Sequence, residues 1–540
     1  MPLPLPSRCA LTAALAAALV LASTPALAQE RPPEEELFGG AAAPEKTQEP
    51  APHERGSGVS GAEPPMSKSA KPAAASVASK RAEGAAAGLE PDPDVENRLL
   101  RVLGRTDDPL TIGGVLYLRS NVSSREHTPP SQWNYSIPTL TDLYLDARPT
   151  ERVRGFVLGR MQFDPTITSG GTGSGTAGAS TAASQSNPQV LLDQLWLRFD
   201  AERSAFFTLG RQHVKWGVGR FWNPTDYLHA VKRDPLAVFD QRTGTTMARV
   251  QIPWEKRGWN LHAMAIFEPL VNRATSPFLT SASGTSQVTD GSGQGAESGQ
   301  LGTVGVGARA EIVLGSWELG LDGVVQRGIR PRFGVDVSGG IWELDLRGEL
   351  ALRTSSDVPL YRADVLRADD QVRVTSFSTF EPRDRWIQAV GAAEWSHKYS
   401  DEDLFTVGAE YYYNSNGYTD KAIYPVLLAQ DAFTPFYLGR HYVGAYLSMP
   451  RPGSWNLHTF TLSGLANLSD RSALARLDWS ITLLTYLQLE LYAQGHMGEL
   501  GGEFRLQVDV PSQTIGGQTT PAFFRGAPIV DAGAAVRINL

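Results

Sequence analysis

Residues 342–353 read WELDLRGELALR, and this stretch carries the strongest sign of the fold. Apolar and charged residues alternate along it. The apolar positions are Trp342, Leu344, Leu346, Leu350 and Leu352, and the charged ones are Glu343, Asp345, Arg347, Glu349 and Arg353. A β-strand points successive side chains to opposite faces of a sheet, whereas a helix would mix the two sets. The stretch therefore predicts a strand with one apolar and one charged face.

The same alternation recurs from about residue 108 to the C-terminus, so we expect strands to dominate this part of the chain. It is clear in residues 153–163, 317–326, 405–413, 475–483, 487–496 and 536–540. We count about 18 candidate strands, within a range of about 14 to 18. The pattern predicts an all-β fold. It fits both a soluble sandwich, whose apolar face lies inside, and a membrane barrel, whose apolar face meets lipid.

The lengths of the connections between the predicted strands favour the barrel. Predicted short turns lie at 148–152, 201–203, 254–258, 314–316, 338–340, 398–403, 451–454 and 482–485. Mostly long segments come between them, at 121–134, 164–187, 216–243, 269–300, 355–383, 415–439 and 498–525, with short links at 328–331 and 469–471. Outer-membrane barrels have short turns at one end and long loops at the other, whereas a sandwich has no reason to sort them. We therefore predict a transmembrane antiparallel up-and-down β-barrel over residues 108–540.

The N-terminal part of the chain has a different composition. Residues 1–28 are typical of a secretory signal peptide, because Arg8 precedes an apolar run and Ala26-Leu27-Ala28 fits a cleavage site. The single cysteine, Cys9, lies in this segment, so we expect no disulfide in the mature chain. Residues 29–93 are rich in Ala, Pro and Glu and predict a disordered tether, and residues 94–107 predict a short periplasmic helix.

The composition argues against several classes of function. The formal net charge is -8 and the pI is about 5.7, which does not suit a nucleic-acid partner. The nine histidines are scattered without an HExxH motif or a Cys/His spacing for zinc, and the sequence has no GxSxG elbow or phosphate-binding loop. We therefore predict no catalytic residue, no cofactor and no metal ligand.

Residues 216–227, WGVGRFWNPTDY, interrupt the strand pattern after a predicted strand over residues 205–213. Glycine and proline should end that strand, and the aromatic residues make this loop too apolar for a solvated tip. One hypothesis is that the loop folds inward and narrows a pore, with Trp216, Trp222, Asp226 and Tyr227 at the constriction. The alternative is a loop packed for stability alone, because packing also uses aromatic residues.

Basic residues cluster near that loop. Arg154, Arg160 and Arg198 lie on neighbouring predicted strands, next to the loop with Lys215, Arg220, Lys232 and Arg233, and Arg211 is a further predicted lumen residue. If these side chains face a lumen, they form a basic stripe that attracts anionic solutes, as charged rings do in pores. The alternative is that Asp142, Asp146, Asp193 and Asp200 form salt bridges with them. Such pairing would only keep the wall wet and rigid.

A motif in this region resembles a known family. Gly210-Arg211-Gln212, Trp216-Gly217, Gly219 and Asn223-Pro224-Thr225-Asp226 are similar to a segment of the large single-chain barrels in the alginate-export and related porin-like families. The resemblance implies a monomeric pore for a small or charged solute. The chain departs from the family pattern at Leu540, where such barrels commonly end in an aromatic residue, and in its long N-terminal tether.

Together these features predict an outer-membrane porin-like channel through which small polar solutes diffuse, with anionic solutes as the finer hypothesis. The expected partners are the lipid bilayer, the solute and, during biogenesis, the barrel-assembly machinery. The sequence does not identify a periplasmic partner for the tether. The alternative function is a non-conducting barrel that acts as a scaffold or export-assembly component, and a barrel enzyme is the third.

Overall fold

The computed structural model describes most of the chain beyond residue 108. The described residues are 109–167, 187–229, 234–237, 240, 242–270, 303–356, 359–368, 371–382, 385–400, 403–430, 432–510, 513–515, 518–520 and 523–540. The predicted signal peptide, tether and short helix, and the basic residues Lys232 and Arg233, lie outside these residues and stay predictions. Within the described ranges, no helix is long and apolar enough to span a membrane.

Eighteen long strands make up the main sheet. They are β1 Leu110–Arg125, β2 Thr139–Thr150, β3 Val153–Phe163, β4 Gln189–Ala201, β5 Ala205–Gln212, β6 Thr245–Trp254, β7 Trp259–Ile266, β8 Gly305–Leu314, β9 Trp317–Gln326, β10 Ile329–Ile341, β11 Leu344–Arg353, β12 Trp386–Lys398, β13 Leu404–Asn414, β14 His441–Pro450, β15 His458–Asn467, β16 Ser472–Leu484, β17 Leu487–Gly498 and β18 Pro528–Asn539. The short strand Asn134–Ser136 also joins this sheet, beside β1.

The sheet closes on itself. Each long strand pairs antiparallel with the next along the chain, and β1 pairs with β18 in a register that runs from Val115↔Asn539 to Arg125↔Pro528. The last residue completes the seam, because the Leu540 N–H donates to the Gly114 carbonyl oxygen at 2.8 Å. None of the described barrel strands is therefore left as a free edge, and the predicted 18-stranded up-and-down barrel is confirmed.

The connections sort by length as predicted, with one turn misplaced. Short turns of two to seven residues join β2 to β3 and every second pair of strands after it, while the other end of the barrel carries the long segments 126–138, 164–188, 213–244, 267–304, 354–385, 415–440 and 499–527. The turn predicted at 338–340 is wrong. Gly339 and Gly340 stay in β10, where Gly339 leaves room for the ring of Trp317, and the chain turns at Trp342 and Glu343.

The two faces of the barrel wall have opposite polarity. Large apolar residues point outward and are exposed, such as Leu145, Leu321 and Leu462 at 41–48%. The inward residues Asp336 and Glu349 are charged and almost fully buried. A soluble sandwich would show the reverse, so the wall is that of a transmembrane barrel whose outer surface meets hydrocarbon. Trp342 does not belong to either face, because it lies in the turn with φ 55° and is 98% exposed.

Smaller elements lie in the connections between the strands. They are the hairpins Leu360–Ala368 with Gln371–Phe380, Val508–Val510 with Phe523–Arg525, and Gln513–Ile515 with Gln518–Thr520; the helix α1 Tyr424–Ala429; and the 3-10 turns Pro130–Gln132, Glu255–Arg257, Lys421–Ile423 and Glu503–Arg505. A cluster of Ile423, Tyr424 and Leu427 forms the core under α1. The 3-10 turn Glu255–Arg257 forms the short turn between β6 and β7, and the other elements lie at the long-loop end.

Candidate functional site

The segment 213–244, here called the crossing loop, runs from β5 to the opposite side of the barrel. Its Phe221 packs edge-on against Tyr446 of β14, with ring centroids 6.0 Å apart. Trp222 lies 5.7 Å from the ring of Tyr442 on the same strand. β5 and β14 are half a circumference apart in a barrel of 18 strands. The crossing loop therefore spans the lumen, in agreement with the inward folding expected from its aromatic content.

A wall carboxylate on β11 holds the first bend of the crossing loop. Glu349 accepts hydrogen bonds from the Val218 and Gly219 backbone N–H groups, both at 2.6 Å, and from the Thr225 hydroxyl at 2.9 Å. Gly217 has φ +84°, and a Cβ there would lie 2.6 Å from the Glu349 carboxylate. Glycine is thus required both for the left-handed backbone and for the close approach to the carboxylate.

A second wall carboxylate, Glu410 on β13, holds the next residues of the crossing loop. It accepts hydrogen bonds from the backbone N–H groups of Arg220 at 2.7 Å, Phe221 at 3.2 Å and Trp222 at 2.7 Å. The two buried carboxylates therefore fix the backbone of residues 218–225 against the wall.

The aromatic side chains of the crossing loop pack into two apolar clusters. Trp216 and Tyr227 lie with Met247, Met264, Ile266, Leu270, Val324 and Ala351. Trp222 stacks on Tyr412 at a centroid distance of 5.6 Å and an interplanar angle of 13°, and its indole N–H donates to the Phe436 carbonyl oxygen. Burying one such side chain contributes about 1.5–3 kcal/mol, so these contacts add to the hold of the carboxylates.

A cluster of charged side chains connects residues 226–229 of the crossing loop with residues 240–242 of the same loop. Arg242 lies 2.8 Å from Asp226 and 2.6 Å from Asp240, and the His229 Nδ1 lies 3.1 Å from Asp226. Burial acts to raise the pKa of Asp226, but the charges of His229 and Arg242 outweigh it and hold that pKa well below its usual range. Burial lowers the pKa of His229. Asp226 is therefore a structural anion of the loop.

Five of the ten predicted pore residues pack or pair with other side chains, or lie on the exterior. Trp216, Trp222, Asp226 and Tyr227 are at most 3% exposed, because they pack and pair inside the crossing loop as described above. Arg211 pairs in register with Leu195, whose side chain is on the exterior, and it forms a salt bridge with Glu268 at 3.0 Å. These five side chains are thus packed, paired or on the exterior, and their assignment to a pore lining or constriction stays a prediction.

Of the other five predicted residues, Arg154, Arg160 and Arg198 face inward from their strands, and acidic side chains pair with Arg154 and Arg160. Arg154 lies 2.8 Å from Asp146, and Arg160 is buried 2.8 Å from Asp142. The guanidinium of Arg198 lies over the ring of Phe206 at 5.0 Å, and that of Arg220 lies over Tyr446 at 3.7 Å. Lys215 and Arg220 are exposed. Part of the predicted stripe is thus salt-bridged, as the alternative interpretation expected, while the rest remains accessible.

The lumen wall divides into two regions. On β7–β15, here called the packed wall, the inward side chains behind the crossing loop are buried, and Arg309, Asp322 and Asp336 are 6%, 0% and 2% exposed. On β16–β18 and β1–β4, here called the open wall, Arg154 and Asp478 are 32% and 35% exposed. Other inward side chains of the open wall are partly exposed as well: Arg119, Tyr144, Phe156, Trp196, Arg198, Glu490 and Tyr492.

Sequence reasoning placed Glu349 on the charged face of its strand but did not reveal that Glu349 and Glu410 anchor the crossing loop. Their partners are backbone N–H groups 124 to 190 residues away along the chain. Every residue except proline has such a group, so residue types do not reveal which ones bind a carboxylate. The glycines at 217 and 219 are the only local sign that something approaches the loop closely. Among the described residues, no group of three or more His, Cys, Asp or Glu side chains could hold a metal ion.

The fold and the site together define a class. A closed barrel of 18 strands with an apolar exterior, a charged interior and one loop folded across the lumen has the architecture of an outer-membrane β-barrel. No family model and no curated protein matches the sequence.

Solved structures with a similar fold include porins. OprB of Pseudomonas putida matches at 10% identity with a TM-score of 0.41, covering 83% of this chain and 97% of its own. A BenF-like porin from Pseudomonas fluorescens matches at 10% identity with a TM-score of 0.43, covering 79% of this chain and 98% of its own. OccAB4 of Acinetobacter baumannii matches at 8% identity with a TM-score of 0.45, covering 81% of this chain and 99% of its own. At these identities the likeness concerns the fold, and the barrel assignment rests on the strand pairing of this chain.

Proposed function

We propose that this chain is an outer-membrane channel through which small polar solutes diffuse along the open wall, beside the crossing loop. The observation that supports this most is the difference in exposure between the two walls. Behind the crossing loop, Arg309 and Asp322 of the packed wall are buried, whereas Arg154 and Asp478 of the open wall remain about one-third exposed. Each wall also has exceptions, since Arg347 of the packed wall is 29% exposed and Arg160 of the open wall is 6% exposed. Charged side chains that stay wet inside a barrel are what an aqueous passage requires.

In this proposal the crossing loop is a fixed constriction. Glu349 and Glu410 bind its backbone, and its aromatic side chains fill the space against the packed wall. Trp216, Trp222 and Tyr227 therefore act as a scaffold for the constriction, and the solute meets the open wall and the exposed side chains of Lys215 and Arg220. The loop narrows the lumen by occupying one side of it.

The finer part of the proposal is a preference for anions. Asp146 accepts hydrogen bonds from both Arg148 and Arg154, so this trio keeps one positive charge. Arg198 stands beside it, since it is opposite Arg154 in the strand register. An excess of positive charge in a narrow passage raises the local concentration of anions. The open wall thus favours small anionic solutes over cations.

Conductance in a planar bilayer tests the proposal. The purified chain should conduct, and under a KCl gradient its reversal potential should have the sign of anion preference. The double variant Arg154→Ala, Arg198→Ala should lose that preference, while Arg203→Ala, at a short turn and 77% exposed, should keep it. A silent bilayer would support a non-conducting scaffold instead. An open channel with cation preference would reject only the anionic part.

The same proposal sets the cellular context. A cleaved signal peptide would carry the chain across the inner membrane, and the barrel-assembly machinery would insert it into the outer membrane. The short turns and both ends of the barrel domain would then face the periplasm. A tether over residues 29–93 would start on that side, where it could meet a periplasmic partner.

A further inference from the structure

An open cavity lies at the long-loop end of the barrel, away from the crossing loop. Its volume is about 320 Å³, and it lies between the hairpin that follows β11 and the segment that follows β13. The lining residues used here are Tyr361, Arg362, Phe380, Asn416, Tyr418 and Arg440. Pockets for small ligands begin at about 300 Å³, so the space suits one ring with a polar head group.

The walls of this cavity are held in place by backbone contacts. The Tyr418 N–H donates to the Leu438 carbonyl oxygen at 2.7 Å, and the Tyr361 N–H donates to the Tyr418 hydroxyl at 3.0 Å. Gly417 touches the backbone of Gly439 so closely that no side chain would fit there. The cavity is therefore a defined feature of two interlocked loops.

Two polar side chains in the lining have nitrogen atoms without a protein partner. The Asn416 Nδ2 and the Arg440 Nε are buried and make no hydrogen bond. Buried donors are nearly always satisfied in native proteins, by protein, water or ligand. Both atoms are donors, so the group that would satisfy them is an acceptor such as a carboxylate or phosphate oxygen.

The rest of the lining suits a flat apolar body. Tyr361, Phe380 and Tyr418 supply aromatic rings, and the guanidinium of Arg362 lies over Phe380 at 4.8 Å. The lining contains two arginines and one carboxylate, that of Asp420, so its net charge is positive. Asp420 is also engaged locally, because it accepts a hydrogen bond from the Ala422 N–H at 3.0 Å.

We propose that this cavity binds a small organic oxyanion, a carboxylate or phosphate carried on a flat apolar ring. The oxyanion would accept from Asn416 and Arg440, and the ring would lie among Tyr361, Phe380 and Tyr418. The site needs the folded barrel but not a conducting one, so it is independent of the proposed channel. A binding measurement in detergent and a conductance measurement can fail separately.

Calorimetric titration of the purified full chain in detergent micelles tests the site. Benzoate and phenyl phosphate are the two oxyanion probes and separate a carboxylate from a phosphate site, and benzyl alcohol is the neutral probe of similar size. At least one oxyanion should bind, with benzyl alcohol about tenfold weaker or more. Arg440→Gln should weaken the oxyanion about tenfold or more, because it removes the charge and the Nε donor.

A matched control separates this site from general attraction of anions. Arg327→Gln removes the same charge from an exposed two-residue link at the same end of the barrel, and it should leave affinity unchanged. Asn416→Asp, which replaces a donor by a second acceptor, should also weaken binding and covers the case in which Arg440→Gln fails to fold. Equal affinity for the oxyanions and benzyl alcohol, equal losses in Arg440→Gln and Arg327→Gln, or no binding of either oxyanion would overturn the proposal.

Discussion

The packed wall and the open wall are built from the same alternating strands, yet their charged side chains do different work. Arg309 on the packed wall is 6% exposed and lies 2.6 Å from Asp336. Arg154 on the open wall is 32% exposed at 2.8 Å from Asp146. The two separations are nearly equal, and the two ion pairs differ in how much of each arginine is exposed to water. The alternation of side chains along a strand determines which face of the wall a residue lies on. Packing against the crossing loop then determines whether an inward side chain is buried or lines the open lumen.

The energetic consequence is an asymmetry in how each wall tolerates change. A buried charge that loses its partner costs about 3–5 kcal/mol, because nothing else solvates it. An ion pair in contact with water is worth about 0–1 kcal/mol, since solvent and counterions replace the partner. Substitutions of the buried charged side chains of the packed wall should therefore act on stability, and substitutions of the exposed side chains of the open wall on permeation.

The largest effect is expected when the crossing loop loses its main anchor. Glu349→Ala leaves the N–H groups of Val218 and Gly219 and the hydroxyl of Thr225 without an acceptor. We expect a loss of about 3–5 kcal/mol in the free energy of unfolding, because buried donors are then unsatisfied. The loop should also move from the wall, and single-channel conductance should rise about twofold or more as the constriction widens.

Glu151→Ala is the control for this prediction. Glu151 has the same charge but lies in a short turn with its side chain 83% exposed, so both stability and conductance should match the unmodified chain. Conductance is measured in bilayers and stability by denaturant unfolding in detergent. If Glu349→Ala folds with unchanged conductance, the crossing loop is not what limits the passage.

A second prediction compares one arginine from each wall. Arg309→Ala strips Asp322 and Asp336 of a buried partner, with separations of 3.2 Å and 2.6 Å, and should cost about 3–5 kcal/mol of stability. Arg154→Ala should cost about 1 kcal/mol or less. The midpoint of denaturant unfolding for the two variants measures this difference. Equal midpoints would mean that the two walls are equally solvated.

The fold could be read from the sequence because two local signals agree with each other. The alternation of apolar and charged residues shows which residues share a face of the sheet. The alternation of short and long connections between strands distinguishes a barrel from a sandwich. Local signals also misled in one place. A Gly339-Gly340 pair is typical of a turn, but here it makes room for Trp317 within β10, and the turn falls at Trp342.

The site was harder to predict than the fold, since burial depends on residues far apart in the chain. The aromatic content of residues 216–227 correctly indicated a loop folded inward. It did not reveal that Trp222 would stack on Tyr412, or that Glu349 and Glu410 would bind the loop backbone. Arg211 was assigned to the lumen with the other charged residues of the early strands, whereas the strand register puts it on the exterior.

A third prediction makes the same substitution in both walls. Trp222 is fully buried against Tyr412, whereas Trp196 is a partly exposed side chain of the open wall. Trp222→Ala should lower the free energy of unfolding by about 3–5 kcal/mol through the cavity that it creates. Trp196→Ala should cost about 2 kcal/mol less, because its site is already partly wet and leaves a smaller void. Unfolding midpoints that coincide for the two variants would contradict the division into a packed and an open wall.

The smallest effect concerns two glutamates at the rim, where the contrast between buried and exposed charge is repeated within four residues. Burial raises the pKa of Glu503 to about 8, although the Tyr442 hydroxyl and Asn467 amide donate to its carboxylate. Hydrogen bonds from Lys421 and Arg471 instead lower the pKa of the exposed Glu499. In the unfolded chain a glutamate has a pKa of about 4.3.

Between about pH 4.5 and pH 8 the folded state therefore keeps a proton on Glu503 that the unfolded state has lost, so stability should fall as pH rises through this range. Glu503→Gln should flatten that fall, measured as the difference in denaturant midpoint between pH 5 and pH 8. Glu499→Gln should leave it unchanged, since a lowered carboxyl pKa affects stability only at more acidic pH. An undiminished slope in Glu503→Gln would show that water reaches this carboxylate, and the rim would then belong with the open wall.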